Sequence, residues 1–416
     1  MGSDDECFKG NKGMWSEPYV LFELLSQGRI YKSDANQNII KSVWHDIRSI
    51  IFRIDKNDKG EFGSLKYELT VNENNERRIT LYNGNNPPVA IELNDCKKYA
   101  DGLRNILSNP KAEIEGSKGT LVIPAEYSEF IHKIGRKALS TGSKSKSDIW
   151  LELPDVRNTT DRPLGFSIKS DFGSAPSIFN SSNSSNIVYK VTGSITDKEE
   201  KEINSLVKIH NNSKTKEKNY YPDYVERIKY FKKHNLDLEF FHEINNHIVK
   251  GPFVEGIRLD TSELCGSYTF ERNLKMVDSQ MHFLFGKMAY YVHFKGITKL
   301  TEIVKLLDEE DPLNINPDEE YPFYKKKIQD LLVAMTLSMN PGSIWDGSES
   351  TNGGIIIVKK TGDIVCYHIF DRNDFRDFLL ENMHFDKPDC NRYHMMALYR
   401  QEDGSYLTQL NVQIRM

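Results

Sequence analysis

Apolar and polar residues alternate most cleanly between Ser147 and Ser170. Ile149, Leu151 and Leu153 are spaced by two, as are Leu164, Phe166 and Ile168, and a polar stretch holding Arg157, Asn158, Asp161 and Pro163 divides them. That period predicts two strands joined by a loop. With Asp148 opposite Lys169, all six apolar side chains share one face. The other face then carries Asp148, Trp150 and Glu152 against Gly165, Ser167 and Lys169. A slip of one residue would turn Lys169 to the apolar side, so the pattern selects this arrangement. It sets an acid beside a lysine on a hairpin whose back is core.

Elsewhere the pattern is helical for longer stretches. Ser16-Glu17-Pro18 opens a helix with a capping serine and a proline in its first turn, and Gly28 suits its end. Glu17 shares a face with Leu21, Leu24 and Leu25, by spacings of four, seven and eight. This points one carboxylate toward the core edge; a solvated first-turn acid favoured by the helix dipole has the same spacing. Ile39, Ile40, Val43, Trp44, Ile47, Ile50 and Ile51 predict a second helix over 38–54. Strands are predicted over 65–71 and 78–82, then helices over 97–108 and 125–139. A strand over 187–191 and helices over 196–210, 278–294, 299–307 and 320–339 follow. Gly353 to Val358 and Ile364 to Ile369 form a hairpin around a Lys-Thr-Gly-Asp turn, with a short helix near 375–380 and strand-like residues from Tyr406 to Ile414 after it.

At 416 residues the chain exceeds one simple core, and two domains are expected, 1–210 and 211–416. A net charge of -5 argues against a generally basic binder of nucleic acid, although a local groove counts for more than the total. Between His132 and the hairpin stand Lys133, Arg136, Lys137, Lys144 and Lys146 with no acid among them, which delivers positive charge to the hairpin or marks a solvated loop. The Ser/Asn run from Asn180 to Asn186 reads as a linker or as a set of short hydrogen-bonding side chains beside a substrate. Basic and aromatic residues interleave from 208 to 234, as in a phosphate-contacting or an amphipathic surface. No apolar run is long enough to span a bilayer, and five scattered cysteines lack metal spacing, so a reduced cytoplasmic protein is expected. His242 and His247 are five apart, which separates them by about 140° on a helix and excludes a zinc-protease motif.

Metal-assisted phosphodiester hydrolysis needs a carboxylate to hold Mg²⁺, a second oxygen ligand and a cation near the attacking water. Asp148 and Lys169 suit the first and last of these; a structural ion pair on a sheet surface is the even alternative. Asp, about twenty residues and then x-x-Lys on paired strands resembles the PD-(D/E)xK nuclease superfamily. Further motifs are more specific: Gly-Asn-Lys-Gly-Met-Trp-Ser-Glu-Pro-Tyr-Val (10–20), Ser-Asp-Ile with Gly-Phe-Ser-Ile-Lys-Ser, and Gly-Gly-Ile-Ile-Ile-Val with Cys-Tyr-His-Ile. With Lys-Pro-Asp-Cys-Asn-Arg (387–392) and Asn-Val-Gln-Ile-Arg (411–415), these resemble the HpaII family of type II restriction endonucleases over nearly the whole chain.

The resemblance implies an α+β fold, a mixed sheet flanked by helices. It implies Mg²⁺-dependent cleavage of double-stranded DNA at a short specific sequence, alongside a cognate DNA methyltransferase, and leaves room for a homodimer. Asp148 matches its catalytic aspartate and Lys169 its lysine. Pro154-Asp155 spells the motif's first letters, but in the register above Asp155 lies about 23 Å along the strand from the level of Lys169. Ser167 stands where the superfamily usually has an acid, so another carboxylate is needed. Glu17 is the candidate, and Glu152, about 13 Å along the strand from Asp148, is the runner-up. DNA contacts are expected from Lys144, Lys146, Ser170, Asn180 and Asn186, and in the C-terminal region from Asn391 and Arg392. The 1–210 region is thereby expected to carry the nuclease core and 211–416 the recognition elements.

Overall fold

The computed structural model describes residues 7–34, 36–56, 62–74, 76–112, 114–115, 119–140, 146–154, 163–211, 218–240, 268–316, 320–368, 371–389 and 393–416. The chain forms two compact units, 1–176 with 349–378, and 177–348 with 379–416. This division departs from the expected cut at residue 210. The strands Gly354–Val358 and Ile364–His368 lie far along the chain, yet they fill the middle of the first unit's sheet. Ile187–Thr192 pairs instead with Tyr406–Leu410 in the second unit.

The first unit is built on a mixed sheet of ten strands. Their order is Ile39–Asp46, Arg29–Ser33, Ile364–His368, Gly354–Val358, Leu164–Ser170, Ile149–Glu152, Ser49–Lys56, Phe62–Val71, Arg77–Asn83 and Val89–Ile91. Arg29–Ser33 runs parallel to Ile364–His368, and Leu164–Ser170 parallel to Gly354–Val358; the other pairs are antiparallel. Every residue of Gly354–Val358 and of Ile364–His368 is buried, as expected for central strands covered on both faces. The α+β class and the mixed sheet read from the sequence are therefore present.

The segment expected to be helical over 38–54 is two strands, Ile39–Asp46 and Ser49–Lys56. Its apolar residues are mostly β-branched, and the buried ones include Ile50 and Phe52, two apart. Each period fits so short an apolar run, and pairing with Ile149–Glu152 and Phe62–Val71 decides for the strand. The first helix, Lys12–Gln27, begins a turn earlier than expected. Asn11 caps it by accepting the Met14 N–H at 3.0 Å, and Pro18 falls inside the helix. Gly28 ends it in a left-handed conformation, its N–H on the Leu24 carbonyl. Trp15, Tyr19, Leu21, Phe22, Leu24 and Leu25 lock this helix into a core shared with the helix Leu93–Ser108 and the sheet.

The second unit has its own sheets. One has four strands in the order Asp237–Phe240, Ile187–Thr192, Tyr406–Leu410 and Tyr399–Arg400; another has three, Ser177–Phe179, Gln413–Arg415 and His384–Asp386. The helix expected over 196–210 stops at Ser205 and gives way to the strand Val207–Asn211. Its helices include Tyr224–Lys233, Met281–Tyr290, Leu300–Glu310 and Phe323–Leu337. No helix among the described residues is long and apolar enough to cross a membrane.

Candidate active site

The hairpin faces are as the alternation predicts. Ile149, Leu151 and Phe166 are fully buried in the core, and Leu153, Leu164 and Ile168 pack against it. The register is not as predicted. Leu164 pairs with Leu151, Gly165 with Trp150 and Phe166 with Ile149, so the strands sit two residues from the expected alignment. A shift of two keeps every side chain on its face and changes only its partner. The regular pairing ends at Ile149; beyond it the Asp148 N–H turns to the Phe166 carbonyl, and its carboxylate meets Ser167 and Ile168.

The cause lies at Gly165. A Cβ there would meet Ser147 Oγ at 2.4 Å and Trp150 Nε1 at 3.0 Å. The indole occupies the space above the residue that has no side chain. In the expected register Trp150 would have faced Ser167, and nothing in the apolar pattern weighs that difference.

Asp148 is held by main-chain and side-chain groups together. Its N–H donates to the Phe166 carbonyl at 2.8 Å, Oδ2 accepts the Ile168 N–H at 2.7 Å, and Ser167 Oγ donates to Oδ2 at 3.2 Å. Burial raises its pKa; the Ile168 hydrogen bond, Lys169, Ser167 and Lys146 oppose that rise. Burial lowers the pKa of Lys169, offset in part by Asp148. Lys146 is lowered to about 8 by burial and then by Lys169, with Asp148 acting the other way. The structure therefore brings together Asp148, Ser167, Lys169 and Lys146. The neighbour Ser147 is buried, its hydroxyl 3.1 Å from the Ser350 carbonyl and 3.4 Å from Thr351 Oγ1, which anchors this stretch to the chain leading into Gly354–Val358.

Glu17 is buried, on the inward face that its spacing indicated. Its Oε2 stands 3.6 Å from the guanidinium of Arg136. Arg136 stacks over Phe52 at 4.3 Å and donates to the Ala138 and Leu139 carbonyls. Burial lowers its pKa, Glu17 is the foremost charge opposing that, and Asp148 adds to it. Arg136 thus feels both carboxylates. In the sequence it stood only as part of a basic segment, and nothing in its neighbours marked it as buried.

Other expected residues are placed elsewhere. Glu152 is engaged at the far end of its strand, accepting from Ser49 Oγ at 2.6 Å and Lys66 Nζ at 3.1 Å. Ser170 lies 2.6 Å from Ser16 Oγ and ties the first helix to its strand. In the second unit, Asn180 is exposed, whereas Asn186 is buried and accepts from Asn411 Nδ2 at 2.6 Å. The Ser/Asn run is a capped turn, with Ser182 and Ser185 bonding each other and Asn411 reaching the Ser182 carbonyl. Neither Ser170 nor Asn186 thereby offers a spare side chain. Lys144, Asp155, Asn391, Arg392 and the pair His242 and His247 lie outside the described residues.

The donor set fits a divalent cation only as an open site. Mg²⁺ commonly uses one or two carboxylates and completes its shell with water and substrate phosphate. Asp148 supplies one carboxylate, and Glu17 a second that is now paired with Arg136. Among the described residues no three His, Cys, Asp or Glu side chains gather to hold a metal. An ion completed by a phosphate oxygen is compatible with that set.

Asp148, at the end of a strand of the mixed sheet, is charge-coupled to Lys169 and Lys146. The chain matches the HpaII restriction endonuclease family over residues 11–250 and 261–416, and it belongs to that family of site-specific endonucleases. Over 410 residues it is 29% identical to the Type II restriction enzyme HpaII of Haemophilus parainfluenzae, an alignment covering 99% of each chain. No solved structure matches it. Type II restriction endonucleases generally use divalent metal ions, and double-stranded DNA is the substrate the family implies.

Proposed function

We propose that the protein hydrolyses phosphodiester bonds of double-stranded DNA at a short specific sequence, with Mg²⁺, as the endonuclease of a cytoplasmic restriction–modification pair whose other member is a DNA methyltransferase. The observation that carries this is the meeting of Asp148 and Lys169 on one sheet face, where each alters the charge of the other. Asp148, oriented by the Ile168 N–H, would hold the cation, and Glu17 would join it by exchanging Arg136. When bound, Mg²⁺ supplies a Lewis acid for the phosphate and a more acidic water. Lys169, its pKa lowered by burial, would orient the attacking water or take its proton. We assign base reading to the second unit, including Asn180, and to Asn391 and Arg392. Cutting both strands of a two-fold site suits a homodimer.

A second reading is a relative that binds DNA and cuts poorly, favoured by Ser167 in the acid's place and by the lack of a gathered metal set among the described residues. Incubating plasmid DNA with purified protein, with Mg²⁺ and with EDTA, separates the two. Discrete fragments that need the metal are expected, and tight binding without fragments under any divalent ion would sink the nuclease reading.

A further inference from the structure

We propose that the loop 340–348 holds Ile344 as an apolar anchor that packs against bases of the bound duplex, a few base pairs from the cut. The inference rests on the reading of the protein as a cutter of double-stranded DNA with Asp148 in its centre.

Ile344 is 89% exposed, more than any other large apolar side chain among the described residues. A lone exposed apolar residue is ordinary, and exposure by itself carries nothing. The hold on its loop is not ordinary. Asn273, buried on the helix Tyr268–Val277, donates through Nδ2 to the Asn340 carbonyl at 3.0 Å and the Ser343 carbonyl at 2.8 Å. Its Oδ1 accepts the main-chain N–H of Trp345 at 3.0 Å. One buried amide therefore fixes the chain immediately before and immediately after Ile344. The Trp345 indole N–H donates to the Ser348 carbonyl at 2.9 Å, and Asp346 accepts the Ser348 N–H at 2.9 Å, which closes the far side of the loop. The branched side chain at the tip is thus presented to water in a fixed place, and a partner that covers it meets little ordering cost.

Chain length ties this tip to the cut. Ser350, six residues after Ile344, accepts at its carbonyl from Ser147 Oγ at 3.1 Å, and Ser147 precedes Asp148. Six residues reach at most about 20 Å, the length of roughly six base pairs. Size argues against a protein partner. Met276, near Gly347 of the same loop, is 57% exposed. Two such side chains, each below the about 250 Å² of a large aromatic, fall short of the about 800 Å² that each partner gives a stable protein interface. The chemistry of the loop selects the part of the duplex. Residues 340–348 hold no Lys or Arg and one acid, Asp346, so they are not equipped for phosphate. An uncharged branched side chain instead suits the thymine methyl group or an unstacked base step.

The test measures DNA affinity against salt concentration for full-length wild type, Ile344→Ala and Ile344→Leu. The probe is a duplex fragment that the wild-type enzyme cuts, kept intact in EDTA. Ile344→Ala should bind about tenfold or more weakly at every salt concentration, the scale set by three buried carbons. Its slope of log K against log salt should stay that of wild type, because no phosphate contact is lost. Ile344→Leu should remain within about threefold of wild type. Wild-type affinity in Ile344→Ala would overturn the proposal, and so would a changed slope. A lower unfolding temperature for Ile344→Ala would overturn the exposed placement from which the argument starts. A change of oligomeric state without DNA, read by gel filtration, would assign Ile344 to an interface between copies and overturn it as well. Should wild type bind no duplex, or Asp148→Asn and Lys169→Met both still cut, the reading beneath the inference falls with it. Should those two be inactive while Ile344→Ala binds like wild type, only the anchor falls.

Discussion

The strand Ile149–Glu152 has an acid, a serine and a lysine at each end, and the two sets behave differently. At one end Glu152 accepts from Ser49 and from Lys66, one cation to one carboxylate at 3.1 Å. At the other, Asp148 has Ser167, Lys169 and Lys146, with its pKa raised and those of both lysines lowered. The composition is nearly the same. What separates them is the electrostatic setting: Glu152 and Lys66 form a simple ion pair, whereas burial raises the pKa of Asp148 and lowers those of Lys169 and Lys146. A plain ion pair reads as structure; a buried carboxylate and buried amines with shifted pKa values read as a candidate site.

This difference was partly legible in the sequence. Alternation gave the faces of the hairpin, because a face depends only on odd and even positions. It could not give the register, because shifts of two leave the alternation intact, and the deciding contact is the indole of Trp150 over Gly165. The inward face of Glu17 was legible from its spacing to Leu21, Leu24 and Leu25. Its pairing with Arg136 was not, since the two are 119 positions apart and meet only through the fold. The 38–54 segment failed for a plainer reason: an apolar, β-branched run satisfies both periods, and its sheet neighbours are distant in sequence.

The largest expected effect tests which end does chemistry. Asp148→Asn and Lys169→Met should each lower plasmid cleavage by at least about 100-fold, the usual contribution of a positioned acid–base group or more. Glu152→Gln should leave cleavage within about 3-fold, since Glu152 bonds Ser49 and Lys66 and none of the groups around Asp148. Equal losses at the two ends would erase the distinction.

The register comes next. Gly165→Ala places a methyl group against Ser147 and Trp150. It should cost about 1–3 kcal/mol, as overpacking does, read as a lower midpoint in urea. Unchanged stability would mean that Gly165 faces open space, as the expected alignment with Glu152 would have had it.

The smallest effect is the most discriminating, because it has a sign. Lys66→Met removes a cation that has its own carboxylate, and should cost up to about 1 kcal/mol. Lys146→Met, measured in EDTA without DNA, should instead stabilise by an amount on the order of 1 kcal/mol, discounted for its partial exposure. The reason is that burial and Lys169 together outweigh Asp148 in opposing its charge. Linkage fixes the pH window. The folded-state pKa of Lys146 lies at about 8, below the ordinary 10.5, so between those values the unfolded chain binds more protons and wild-type stability rises with pH. The advantage of Lys146→Met is therefore full below about 8 and closes as pH approaches 10.5. An advantage that does not close, or a loss at neutral pH like that of Lys66→Met, would mean that Asp148 outweighs burial and Lys169 at Lys146, and would make the two ends of the strand alike.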